Sequence, residues 1–162
     1  MSTWLIDTNG DWLLTIARAV LGAIFFAHGS QKLLGWFDGP GLGATLRAFR
    51  DQLGIPAPLA LLAIAAEFFG GIGLVVGLLT RVAALGILLT IVVAMVMVHL
   101  RYGFFMNWYG NKPGHGIEYH LLVIALALIV MVKGSGPLSF DLAISHRAAV
   151  SSSVAFTPMT GK

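Results

Sequence analysis

"FFAHGSQKLLGWF", residues 25–37, closes a long apolar run with a histidine, a glutamine and a lysine. The run itself, from about Trp12 to Trp36, is apolar almost throughout. A span of about 20 apolar residues is what a bilayer core requires. Read as a membrane helix, the stretch places His28 and Lys32 where lipid belongs, so they must face protein.

The rest of the chain agrees with that setting. Its 162 residues suffice for one compact domain, with 57% hydrophobic and only 10% charged residues. Mean hydropathy is +0.87. Soluble domains carry far more charge, so an integral membrane protein is the expected class. The net charge of +3 comes from scattered residues with no basic patch, which argues against a nucleic-acid partner. Cysteine is absent from the sequence. Disulfides, thiol redox chemistry and cysteine-ligated zinc or iron–sulfur centres within the chain are thereby excluded. No cleavable signal peptide is expected, since residues 1–10 lack Lys and Arg and carry Asp7.

Three further apolar segments follow. Ala57 to Leu78 comes after the breaker "GIPAP" and carries one charge, Glu67. Val82 to about Leu100 is interrupted only by Thr90 and His99. Ile117 to about Val132 is the shortest, spanning about 24 Å as a helix. Helices are required because backbone polar groups in lipid must be satisfied within the segment, and the alternation of barrel strands is missing. Trp12, Trp36 and Trp108 lie near segment ends, where aromatic rings prefer the interface. The expected fold is all-α: an integral membrane bundle of four transmembrane helices, with residues 1–144 as one domain.

In the first loop, "GLGATLRAFRDQLG" puts Leu42, Leu46, Phe49 and Leu53 on one helical face, away from Arg47, Arg50 and Asp51. That predicts a short interfacial helix. The turn "LLTR" forces an antiparallel hairpin between the second and third segments. Residues 145–162 are small and polar and are expected to form a flexible C-terminal tail. Lys and Arg are near parity on the two sides, which leaves orientation open.

Ionisable residues at membrane depth are costly and usually face the bundle interior. Counted from the face with the long loops, His28 lies about 12 Å deep and Glu67 about 15 Å deep. His99 and Glu118 lie nearer that face. Arg18, Lys32 and His28 fall within an arc of about 80° on the first helix, a single inward seam. Glu67 shares its face with Gly70 and Gly71, which admit close approach of a helix or a flat ligand. Glu118 and His120 are about 200° apart, so a regular helix cannot aim both at one centre. Glu118 is the expected inward residue, because it also matches the positive helix terminus. His28 and Lys32 are expected to face Glu67 and Glu118; buried His–Glu and Lys–Glu pairs can also serve only to fix helix register. Arg18 sits toward the opposite face, where Asp141 is its expected partner in a structural clasp. Arg81 and Arg101, at segment ends, are expected to snorkel, and His115 and His146 are assigned no role. The Glu-x-x-His spacing of di-iron bundles is absent, so no metal is expected. The Gly73-x-x-x-Gly77 spacing suits helix packing within or between chains.

The pieces "RAVLGAIFFAHGSQKLLG", "GIPAP", "EFFGGIGLVVGLLTRVAA", "VHLRYGFF", "GIEYHLL" and "GSGPLSFD" occur in that order from about Arg18 to Asp141. In this the chain resembles the DoxX family of small four-helix membrane proteins, which includes DoxD-like subunits of thiosulfate:quinone oxidoreductase. The resemblance implies a multi-pass protein of a bacterial inner membrane, linked to redox chemistry, with quinone or quinol as partner. It carries His28 and Lys32 over from a His-Gly-x-x-Lys piece and Glu67 from Glu-x-x-Gly-Gly. It also carries over His99, Glu118 and Tyr119. Cysteines seen in some relatives are missing here.

The expected function is a redox-associated subunit holding a quinone in a polar intramembrane cavity. Glu67, His28 and Glu118 are the candidate catalytic groups. Lys32, His99, Tyr119, Gly70 and Gly71 are the candidate cofactor-binding residues. The expected partners are the membrane quinone pool and a soluble oxidoreductase, which would supply the electrons because no bound redox cofactor is evident. The stretch "YGFFMNWYG", residues 102–110, either lids the cavity with aromatics or anchors the interface. Two rivals stand beside this reading: a non-enzymatic scaffold recruiting soluble oxidoreductases, and a small proton-coupled carrier, which would need a homo-oligomer.

Overall fold

The computed structural model describes residues 11–155, with side chains through Arg147. Among the described residues there are helices and no strands. Helix α1 runs Trp12–Leu33, started by Asp11, whose Oδ1 accepts from the Leu13 backbone N–H at 2.8 Å. A side-chain oxygen there satisfies a donor that the helix leaves free. Helix α2 (Gly41–Leu53) is the short amphipathic helix expected in the first loop. Leu42, Leu46, Phe49 and Leu53 are half-buried toward α1 and α3, while Arg47, Arg50 and Asp51 are exposed.

Helix α3 (Ala57–Val76) starts after Pro56, with Pro58 in its first turn where no N–H is needed. Helix α4 (Thr80–Ala94) continues through a π turn at Met95–His99 and a 3₁₀ turn at Leu100–Tyr102. Helix α5 covers Glu118–Lys133 and α6 covers Phe140–Ala155. Three helical stretches are long and apolar enough to cross a membrane: Trp12–Leu33, Ala57–Val76 and Thr80–Tyr102. With 16 residues, α5 is shorter but completes the bundle. Packing runs α1 on α3, α3 on α4, α4 on α5, and α5 back on α1.

The core is built from Leu21 and Phe25 of α1, Leu74 of α3, Ala84, Ile87 and Ile91 of α4, and Val123, Ala127 and Val130 of α5. Leu62, Phe69, Leu89 and Leu122 are just as apolar yet point outward and exposed. Helices apolar on every side suit a hydrocarbon surround. The tightest seam is α1 on α3. A Cβ at Gly22 would lie 2.7 Å from the Gly71 carbonyl oxygen, and one at Gly71 would run into the Phe26 backbone. Only glycine lets these backbones come so close.

Two loops, residues 34–56 and 103–117, gather at one end of the bundle, the long-loop end. The opposite end holds the short connections 77–79 and 134–139. There Gly77 takes a left-handed φ of 73°, and a Cβ on it would strike Ser139 and the Arg18 guanidinium. A Cβ at Gly73 would press on the Leu78 carbonyl oxygen. Both glycines of the Gly-x-x-x-Gly spacing are therefore used within the chain. Of the stretch expected to be a flexible tail, residues 145–155 are helical as part of α6, and residues 156–162 lie outside the described residues. Ala148 and Ala149 tolerate a helix well, and polarity alone did not reveal this.

Arg18 and Asp141 both lie at the short-loop end, but no ion pair within 4 Å joins them among the described residues. Arg18 instead donates to the carbonyls of Leu74 and Val75 at 2.5 and 2.8 Å, and to those of Ser135 and Leu138. Leu74 and Val75 close α3, whose last carbonyls have no helical partner. Asp141 accepts from the N–H groups of Leu79 and Thr80 at 2.7 and 2.9 Å, capping α4 from a distant segment. Arg81 does not snorkel. It is buried and donates to the Met131 and Val132 carbonyls at 2.7 and 2.6 Å, closing α5. Cations at helix C-termini and an anion at an N-terminus also match the helix dipoles.

Candidate functional site

A cavity of about 360 Å³ opens inside the long-loop half of the bundle. One wall of it carries the Lys32–Glu67 pair. Lys32, on the last turn of α1, places Nζ 2.5 Å from both carboxylate oxygens of Glu67 on α3. Glu67 is nearly buried, while the lysine side chain keeps 30% exposure. A carboxylate at this depth is tolerable because it is paired and hydrogen-bonded. One turn before Lys32, His28 also lines the cavity and is exposed, so the cavity reaches the surface beside it.

Ile91, Ala94 and His99 carry the α4 wall. Their spacing of three and then five residues is not α-helical, since position 98 would continue that face. The π turn at Met95–His99 inserts one extra residue and brings His99, not Val98, onto the cavity. His99 Nδ1 then lies 2.9 Å from the His115 carbonyl oxygen. From α5 come Tyr119 and His120. The Tyr119 hydroxyl is buried without a hydrogen-bond partner. The His120 ring is 4.2 Å from that of His99. Its Nδ1 neighbours the Gly116 backbone without closing a hydrogen bond of ordinary geometry. Phe25, Met106 and His115 complete the lining.

The structure thus brings His28, Lys32, Glu67, His99 and Tyr119 to one cavity. Glu118 does not line it. Its Oε2 accepts from the Met106 N–H at 3.1 Å, and its own N–H donates to the Phe104 carbonyl at 2.9 Å. The loop 103–117 claims this carboxylate, and His120 takes the inward place expected of it. Gly70 and Gly71 are not in the lining either: Gly70 faces Ala83 and Ile87 of α4, and Gly71 faces α1. At Gly71 the missing Cβ lets α1 approach closely. Of the aromatic stretch 102–110 only Met106 reaches the cavity; Phe104, Phe105, Trp108 and Tyr109 are exposed. Arg101 stands 4.8 Å over the Tyr102 ring.

His115, His120 and Met106 were missed from sequence. The glycines flanking His115 in "GHGIEYH" were the available signal, since they let a loop turn inward. Among the described residues, no group of three or more His, Cys, Asp or Glu is arranged to hold a metal ion. On α2, away from the cavity, the Arg50 guanidinium hydrogen-bonds Asp51 at 2.8 Å and holds that carboxyl below its ordinary range. Both side chains are exposed, so the pair contributes little to stability.

Fold and cavity together define an all-helical membrane protein with proton-active groups inside its bundle. A family model described as DoxX matches residues 13–100, a stretch that holds His28, Lys32, Glu67 and His99. The chain belongs to the DoxX family. It is 28% identical over 126 residues to "Putative oxidoreductase CatD" of Bacillus subtilis (strain 168), covering 78% of this chain and 82% of that protein. It is 30% identical over 150 residues to "Uncharacterized membrane protein Rv3486" of Mycobacterium tuberculosis (strain ATCC 25618 / H37Rv), covering 89% and 88%. No solved structure matches the chain.

Proposed function

We propose that this chain is a redox-associated subunit of a bacterial inner membrane that holds a quinone or quinol head group in its polar cavity. One observation carries the reading: Tyr119, whose hydroxyl has no partner, three half-to-fully accessible imidazoles and a Lys–Glu pair line one space of about 360 Å³. Pockets for small ligands start at about 300 Å³, are mostly apolar and hold a few convergent polar groups. Phe25, Ile91, Ala94 and Met106 supply the apolar wall. A quinone has two carbonyl oxygens that need donors, and Tyr119 Oη–H is a donor in want of an acceptor. Reduction to quinol takes up two electrons and two protons. Glu67 and the imidazoles supply protons; the electrons come from an oxidoreductase partner. The name borne by the Bacillus subtilis relative points to the same chemistry.

The test is a titration of the detergent-purified protein with a quinone analogue, beside extraction and identification of its bound lipids. Tyr119→Phe is expected to weaken the analogue about tenfold, the worth of one hydrogen bond. Glu67→Gln and His28→Ala are expected to weaken it too. Absent affinity, or affinity that survives all three changes, overturns the reading. Replacements that alter partner capture alone would favour a scaffold.

A further inference from the structure

The cavity meets the long-loop end through His99, His115 and His120. His99 and His120 stand ring to ring, with centroids 4.2 Å apart and planes tilted by 43°. Neighbouring groups fix the tautomers. A carbonyl only accepts, so His99 Nδ1, 2.9 Å from the His115 carbonyl oxygen, carries the hydrogen. In the neutral ring Nε2 then holds the lone pair. His115 is the reverse: its Nδ1 accepts from the Asn107 N–H at 3.3 Å, leaving the hydrogen on Nε2. His115 is exposed, His99 half-buried and His120 buried, and all three line the cavity. Exposure thus falls step by step from the loop to the interior.

We propose that His99 and His120 form a proton relay that holds at most one proton between its two rings and passes it between water at the long-loop end and the cavity. The destination of that proton rests on the quinone reading; the relay itself rests on the imidazole pair. In the forward direction Nε2 of His99 takes a proton from water. The pair holds one proton at a time, because two imidazolium rings at this separation repel each other. The proton then leaves for Glu67 or for a reduced quinone oxygen, and the rings return to neutral. Only N–H and O–H bonds change, and no electron moves in the step. The groups that share the space with the pair are His28 and Lys32 of α1, Glu67 of α3, His115 of the loop and Tyr119 of α5. Lys32 and Glu67 neutralise each other, so the nearest uncompensated groups are imidazoles. Glu118 is held by the Met106 N–H and stays outside.

The experiment is nuclear magnetic resonance of ¹⁵N-histidine-labelled protein in detergent, followed from about pH 5 to 8 where imidazoles change charge. His99 and His120 are expected to titrate as one coupled pair, in two steps separated by more than about one pH unit. His120→Gln should leave His99 a single, displaced step, and His99→Gln should do the same for His120, so that one well-folded variant suffices. Single, independent steps that neither change disturbs overturn the relay. A second arm measures quinone-analogue affinity against pH, expected to lose its slope in the imidazole range in either variant. A slope that persists in both also overturns the relay. Wild-type protein without analogue affinity at any pH refutes the quinone reading, and the coupling seen by resonance then decides the relay alone.

Discussion

The Lys32–Glu67 pair sets two costs against each other. Desolvating the carboxylate is expensive, and the 2.5 Å contacts to both oxygens offset that expense only while the lysine stays charged and in place. Glu67→Gln strands an ammonium at the cavity wall. Thermal unfolding in detergent is expected to show a loss of about 1–3 kcal/mol. Pairing Glu67→Gln with Lys32→Met should recover more than half of it, since the stranded charge is then gone. A double variant whose loss equals the sum of the Glu67→Gln and Lys32→Met losses would mean that the pair contributes nothing beyond its separate residues. The pairing was legible in the sequence, because a buried acid in one span calls for a base in another. Arg18 was legible only as a buried charge needing a partner. Its partners are backbone carbonyls, which every residue carries and no side-chain pattern announces.

Among the elements, the π turn at Met95–His99 does the most to shape the site. It costs hydrogen-bond regularity and places His99 against His120 and under the His115 carbonyl. His99→Ala is expected to remove the side chain that the π turn brings onto the cavity. The bundle should keep most of its thermal stability, because the turn contributes no residue to the buried core. The loop 103–117 should lose its tie to His99 and be cut faster by protease. Cleavage at the wild-type rate would show that the loop is held by other bonds alone, such as Ile117 N–H to Gly103 O at 3.1 Å. Hydropathy revealed the helix but not the turn, since a π turn adds a residue without changing composition. The same blindness explains Glu118 and His120. Ideal helical angles hold only inside a helix, and both residues lie in the first turn of α5, where the entering loop decides which group is taken.

For the molecule as a whole, the four apolar segments, the short hairpin and the amphipathic α2 were readable from apolar length and period. What the connections contain was not, because loop geometry follows from backbone hydrogen bonds and not from hydropathy. Sidedness is testable because the chain has no cysteine of its own. Trp108→Cys marks the long-loop end and Ser145→Cys the short-loop end. A membrane-impermeant maleimide applied to intact cells and to inverted vesicles is expected to label the two from opposite sides. Labelling of both from one side would contradict the single span, α5, that lies between them.

The knot of Arg18, Arg81 and Asp141 makes the molecule a pair of tongs. Three charged side chains rivet helix ends α3, α4 and α5 at one pole, while the other pole is joined by loops and a half-exposed lysine. Any breathing that admits a guest must therefore pivot about the riveted pole. Amide exchange should be slowest around Leu74 to Thr80 and fastest in residues 103–117, the jaws opening many times before the pivot yields.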